Sequence, residues 1–124
     1  MMAVMNNTPI TLYGIPNCDT VKKARAWFAT RTVDVIFVDF KKQGVPKDSL
    51  QDWMAAVGWE KLINRQGTTW RKLDEGLKAS VIDRASAGAL AISHASVIKR
   101  PVVEWPNGEI TVGFDAADWA QRLS

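Results

Sequence analysis

Cys18 is the only thiol in the sequence. It follows a short apolar run, Ile10–Tyr13, closed by Gly14-Ile15-Pro16-Asn17. It precedes a pattern in which Val21, Ala24 and Phe28 recur at three- and four-residue spacing. A cysteine in the first turn of a helix sits where backbone N–H groups lack intrahelical acceptors. Those amides, with the helix dipole, favour thiolate over thiol. Lys22, one turn on, would add to this effect and Asp19 would oppose it; Thr20 could cap the helix or steady the sulfur anion. The expected chemistry is therefore nucleophilic attack by sulfur on a disulfide or an oxidised group. Position 21, where a Cys-x-x-Cys protein carries its second thiol, holds Val21. Any resolving thiol must then come from outside, from glutathione or a second protein. The alternative is an inert Cys18 packed as a small hydrophobe.

Positioning such a thiolate requires a strand, a tight loop and a helix. Ile10–Tyr13 supplies a buried strand and Cys18–Thr30 the helix. The nearly unbroken run of β-branched and aromatic residues over Val33–Phe40 predicts a second, interior strand covered on both faces. A right-handed crossover would make these two strands parallel. From Gly44 the pattern turns helical. Asp48 or Ser49 can cap a helix whose face is Leu50, Trp53, Met54 and Val57, ended by Gly58. A short turn or helix follows over Trp59–Asn64. Thr69–Leu77 predicts another helix with Trp70, Leu73 and Leu77 as its stripe, and Ser86–Ser93 a fourth. Val102–Trp105 and Ile110–Val112 flank Asn107-Gly108, which predicts a hairpin. Asp115 caps a last helix, with Asp118 in the reciprocal position and Ala116, Trp119 and Leu123 on its apolar face. The fold class expected is α/β: a thioredoxin-like fold with an all-helical insert, about 45–95, between βαβ and ββα parts. Residues 10–124 would form a single domain after a flexible tail, 1–9.

The 124-residue chain carries 47% hydrophobic residues, enough for a core without staples. One cysteine excludes an intrachain disulfide, and one cysteine with one histidine excludes a standard structural zinc site. The net charge of +3 is spread over short basic pairs, which does not point to direct nucleic-acid binding. No signal peptide is expected at the start and no apolar run approaches a membrane span, so the expectation is a cytoplasmic monomer. There is no Gly-x-Gly-x-x-Gly after the first strand to suggest a nicotinamide cofactor. His94, at the end of a helix, is assigned a structural or surface role, and the tryptophans a packing role.

The segment Tyr13-Gly-Ile-Pro-Asn-Cys-Asp-Thr-Val-Lys-Lys-Ala24, together with Ile98-Lys-Arg-Pro-Val-Val103, resembles the arsenate reductase and Spx family, most closely its YffB-like branch. The likeness spans about Ile10 to Leu123 and implies a thioredoxin-like domain with a helical insert. It implies Cys18 as nucleophile, with Arg65 and Arg100 as catalytic anion holders. It further implies a substrate- or glutathione-binding set of Asn17, Asp19, Thr20, Lys22, Arg65, Arg100 and Pro101, the last in a cis peptide bond facing the thiol. The third arginine of the reductases falls on Gly113. Gly14 stands for their histidine, Val21 for a serine and Lys22 for an arginine. A missing guanidinium leaves an oxyanion less well compensated.

The function these features imply is a glutathione-dependent thiol oxidoreductase. It would hold no cofactor tightly and would use glutathione as co-substrate and glutaredoxin as a resolving partner. The alternatives are an Spx-like regulatory protein that binds RNA polymerase, and a non-catalytic thioredoxin-like binding domain.

Overall fold

The structure, a computed structural model, describes residues 9–124; of the tail expected over 1–9, residues 1–8 lie outside the described residues. The chain forms two compact units, one running up to Val38 and resuming over Arg100–Ser124, the other Asp39–Lys99.

The first unit holds a four-stranded sheet in the order β2-β1-β3-β4, from β1 (Ile10–Gly14), β2 (Val35–Asp39), β3 (Val102–Glu104) and β4 (Ile110–Val112). β3 is antiparallel to β1, with Leu12 opposite Val103 and Tyr13 opposite Val102, and β4 is antiparallel to β3. Side-chain alternation sends Ile10 and Leu12 of β1, with Val103 and then Trp105, to one face. There they join Val21, Ala24 and Phe28 of α1 (Asp19–Thr30) and Trp119 of α8 (Ala116–Leu123) in a single core. On the other face, the Tyr13 hydroxyl donates to Glu104 Oε1 at 2.9 Å.

β2 corrects the expectation of an interior strand: it lies at the edge of the sheet, and Ile36 is 49% exposed. Val35 and Phe37 pack on the core, so the strand is half-buried. The unbroken apolar run reflects β-propensity on both faces rather than cover on both faces. The hairpin forms as expected. The Gly108 amide donates to Trp105 O at 2.9 Å, and Asn107 Oδ1 accepts from the Glu109 amide at 2.9 Å. α8 corrects a second expectation. Only Trp119 is buried on it, and Ala116 and Leu123 are exposed. Asp115 caps it by accepting from the Asp118 amide at 3.1 Å, whereas the Asp118 carboxylate turns to Arg122 at 2.8 Å.

The second unit is helical: α2 (Phe40–Gln43), α3 (Lys47–Val57), α4 (Trp59–Leu62), α5 (Thr68–Arg71), α6 (Glu75–Ala79), α7 (Arg84–Ser93) and a 3-10 turn over Ala95–Val97. Its buried residues include Phe40, Leu50, Trp53, Met54, Leu62, Leu90 and Ile98. α2 has no apolar repeat to announce it; Asp39 caps it, accepting from the Lys41 amide at 2.8 Å. α3 starts earlier than expected. Pro46, not Asp48 or Ser49, takes the capping position, and its carbonyl accepts the Leu50 amide at 2.9 Å. Gly58, at φ 88, ends α3 in a conformation that side chains resist. The single helix expected over Thr69–Leu77 is instead two. Asp74 caps α6 by accepting from the amides of Gly76 at 2.9 Å and Leu77 at 3.3 Å, which requires the chain to leave the helix first. α7 opens on a capping box between Asp83 and Ser86.

No helix among the described residues is long and apolar enough to cross a membrane.

Candidate active site

The site is built on the junction of β1 and α1. The Cys18 amide donates to Ile15 O at 3.1 Å, closing a turn, and the Lys22 amide donates to Cys18 O at 2.9 Å, opening the helix. Cys18 therefore occupies the N-cap position, with extended backbone at φ −81 and ψ 125. The amides of Thr20 and Val21, second and third in the helix, are the ones a capping side chain serves. The sulfur makes no full cap hydrogen bond, yet these two amides lie close enough to favour its anion.

Cys18 is partly buried against the core of the first unit. Burial, the largest single influence on its thiol, opposes ionisation. It is outweighed by the Val21 amide, by the hydrogen bond and charge of Arg100, and by the Thr20 amide, so the thiol ionises below its ordinary value. The cation acting on the sulfur is thus Arg100, eighty residues away in sequence, rather than Lys22. Arg100 immediately precedes Pro101 through a cis peptide bond, and the Pro101 carbonyl accepts the Gly113 amide at 2.9 Å. Pro101 is buried and Arg100 partly so.

The structure brings together Cys18, the Thr20 and Val21 amides and Arg100, with Pro101 next to Arg100 in the chain. Asn17, Asp19 and Lys22 flank the cysteine with exposed side chains. Arg65 belongs to the helical unit, where it is exposed with its guanidinium carbon 5.7 Å from the Trp59 ring centroid. His94 ends α7, exposed, in the same unit. Among the described residues no group of three His, Cys, Asp or Glu side chains could hold a metal ion.

Two features went unread in the sequence as parts of the site. The sequence marks Val21 as a helix-face residue and as the place of an absent cysteine or serine, whereas in the structure its amide is the leading donor toward the sulfur. Its position three residues after the N-cap was the available signal. Gly14 and Val21 also form a steric pair, since a Cβ on Gly14 would stand 2.7 Å from Val21 Cγ2, and Val21 is fully buried. The end of β1 thereby lies close against the start of α1. Gly113, where the reductases would carry a third arginine, has φ 83. A side chain there pays a left-handed penalty of about 1–2 kcal/mol, so glycine suits the turn that pins Pro101.

The chain is similar to known proteins over most of its length. The solved structure of a YFFB protein superposes with a TM-score of 0.87 at 44% identity, covering 93% of this chain and 99% of the other. An arsenate reductase (ArsC) related protein from Brucella melitensis gives a TM-score of 0.72 at 42% identity, covering 95% of this chain and 97% of its own. A Haemophilus influenzae protein is 36% identical over 110 residues, 89% of this chain and 95% of the relative. The ArsC family model matches residues 13–122, which takes in the Cys18 loop, the Arg100–Pro101 bond and the whole helical unit; the chain belongs to the ArsC family, on a thioredoxin-like fold.

Proposed function

We propose that the protein is a glutathione-dependent thiol oxidoreductase with Cys18 as its nucleophile. The observation that carries this reading is a single thiol at a helix N-cap, partly buried, with two amides and the Arg100 guanidinium favouring its anion. Membership of the ArsC family supports thiol oxidoreductase chemistry in general.

With a disulfide R–S–S–R′ as substrate, the Cys18 thiolate attacks one sulfur and the S–S bond breaks. The electron pair leaves with R′S⁻, which takes a proton from solvent, and a Cys18–S–S–R mixed disulfide remains. A glutathione thiolate then attacks the Cys18 sulfur, releasing RS⁻ and leaving Cys18 joined to glutathione. A second glutathione, or glutaredoxin, attacks the glutathione sulfur and frees Cys18 as the thiolate. With glutathione in both steps, one R–S–S–R′ and two glutathiones become RSH, R′SH and one oxidised glutathione. No metal or hydride carrier enters this sequence. Arg100 stabilises Cys18 each time it departs as an anion, and Arg65 is assigned to hold a carboxylate of glutathione.

The test is mass spectrometry of the intact protein after exposure to oxidised glutathione, with kinetics of disulfide reduction. The wild type should gain one glutathione on Cys18, removable by excess reduced glutathione, and Cys18→Ser should gain none. Arg100→Leu should form the adduct more slowly at neutral pH. If Cys18 takes up no glutathione while alkylating with an ordinary pH midpoint, the reading is wrong.

A further inference from the structure

The outer edge of β2 is open: among the described residues its only neighbour in the sheet is β1. Edges of this kind are usually guarded by lysine, proline or a bulge, because unpaired backbone groups invite another strand. β2 reads Val-Ile-Phe-Val-Asp, with neither proline nor lysine, and Ile36 is exposed on it.

Against this edge lies a cleft of about 400 Å³, a volume in the range of ligand-binding sites. Every lining residue belongs to the first unit. Phe28 of α1 supplies one apolar wall. Val33, Val35 and Phe37 supply the other, turned to the α1 side by strand alternation. The turn joining the walls is fixed. The Thr32 amide donates to Ala29 O at 3.0 Å and the Val33 amide to Phe28 O at 3.1 Å, the paired bonds of a Schellman motif. Glycine is the usual residue at the left-handed position of that motif. Here it is Thr32, at φ 53, so a strained β-branched residue is kept on the rim of the cleft.

The two ends of the cleft differ in charge. Arg25 lies over the Phe37 ring, 4.0 Å from its centroid. A guanidinium at that distance meets the ring with its face and leaves the N–H groups at its edge to donate elsewhere. Asp34 stands at the other end, three residues and about 10 Å along the extended chain. Neither Arg25 nor Asp34 forms an ion pair among the described residues. A small carboxylate would engage Arg25 and the apolar walls, but it would leave Asp34 and the strand edge unused. An extended peptide engages all four. Laid antiparallel, the better-paired direction, it sets successive residues opposite Phe37, Ile36, Val35 and Asp34, each on the same face as its partner. The first shares the α1 face with Arg25 and suits an acid. The second meets exposed Ile36 and the third turns into the cleft, so both suit apolar side chains. The fourth meets Asp34 and suits a base. We infer that β2 is a docking edge for an extended peptide segment of the pattern acidic, apolar, apolar, basic, which adds a fifth strand to the sheet. This concerns partner binding and does not rest on the chemistry of Cys18.

The experiment titrates the intact protein with the end-blocked peptide Thr-Glu-Ile-Val-Lys-Thr and follows backbone amide shifts and hydrogen exchange. Saturable shifts over residues 25–37 and slowed exchange at alternate β2 amides are expected; the second effect marks strand addition, which side-chain capture alone does not give. Replacing Glu by Gln in the peptide should weaken binding roughly two- to fivefold, as for one exposed charge pair. Arg25→Gln should weaken the parent peptide by a similar factor and abolish the preference between the two peptides. The charge-swapped peptide Thr-Lys-Ile-Val-Glu-Thr should bind less tightly than the parent, and Ile36→Lys should remove binding while leaving Cys18 alkylation unchanged. Shifts that do not saturate, unchanged exchange in β2, a swapped peptide as tight as the parent, or an Arg25→Gln protein that still prefers Glu overturns the inference. So does benzoate giving the same shifts at the same concentration, which would make the cleft a small-carboxylate site. Shifts in β2 that depend on protein concentration without peptide would assign the edge to a second copy of the chain and overturn it as well. Binding should be equal in Cys18→Ser, so a failure here leaves the proposed activity intact.

Discussion

At Cys18 two opposing influences meet. Burial penalises the anion most, and the Val21 amide, Arg100 and the Thr20 amide together exceed that penalty. The rate of Cys18 alkylation against pH should therefore show a midpoint below the ordinary value of 9.0, and Arg100→Leu should move it upward. The sign for stability follows from the same shift. A thiol whose folded pKa is depressed stabilises the fold fully above its unfolded pKa and loses that contribution as pH falls through the folded pKa. The stability difference between wild type and Cys18→Ser should thus be largest at alkaline pH and shrink as pH falls through the alkylation midpoint. Denaturant melts across that range check it, and a pH-independent difference contradicts it.

Among the elements, β1 and α1 meet at the Gly14–Val21 contact. Gly14→Ala would place a methyl group 2.7 Å from Val21 Cγ2, inside van der Waals contact with a fully buried side chain. Overpacking of this kind costs about 1–3 kcal/mol. In a Val21→Ala background the same Gly14→Ala change should be nearly neutral, so denaturant melts of the four variants should give a coupling energy close to the single-variant cost. Additive costs would show that the contact does not limit position 14. At the start of α7, Ser86 donates both its hydroxyl and its amide to the exposed Asp83 carboxylate, holding it below the usual carboxylate range. That capping contribution is complete above the unfolded pKa of Asp and is lost as pH falls through the lower folded value. Asp83→Asn should therefore lower Tm at neutral pH by more than it does in strong acid, where the gap should nearly close.

For the molecule as a whole, the first unit is held by rings. Trp119 is fully buried, stacked on Phe28 at 5.0 Å and edge-on to Phe114, Trp27 and Trp105. Its indole N–H has no hydrogen-bond acceptor among the described residues, so this packing is offset by an unsatisfied donor. Trp119→Ala should cost about 3–5 kcal/mol in denaturant unfolding, because it removes the sole buried side chain of α8. Trp119→Phe keeps a ring and removes the orphan donor, and it should cost much less. Equal losses would mean that the indole N–H is satisfied in solution. On the rim, Arg122 bridges Asp118 and Glu109, an exposed arrangement that secures α8 to the hairpin with little stabilisation.

Local rules sufficed wherever the relevant contact is short in sequence. The β1–loop–α1 junction, the Asn107-Gly108 hairpin and the Gly58 stop each follow from turn chemistry and spacing within a few residues, and Cys18 falls one residue short of the expected first helical turn, at the N-cap. The same rules erred where two local signals compete, as when Asp74 as a cap overrode the stripe from Trp70 to Leu77. They also erred over cover: Val33–Phe40 has the composition of an interior strand, but its place at the edge depends on β3 entering beside β1 from ninety residues downstream. The thiol's electrostatics divide along the same line. The Thr20 and Val21 amides come with the helix start, and so were legible in principle. The placement of Arg100 beside the sulfur, and the fit of Val21 over Gly14, exist only once the sheet has brought distant segments together, because neither charge proximity nor steric contact has a sequence period.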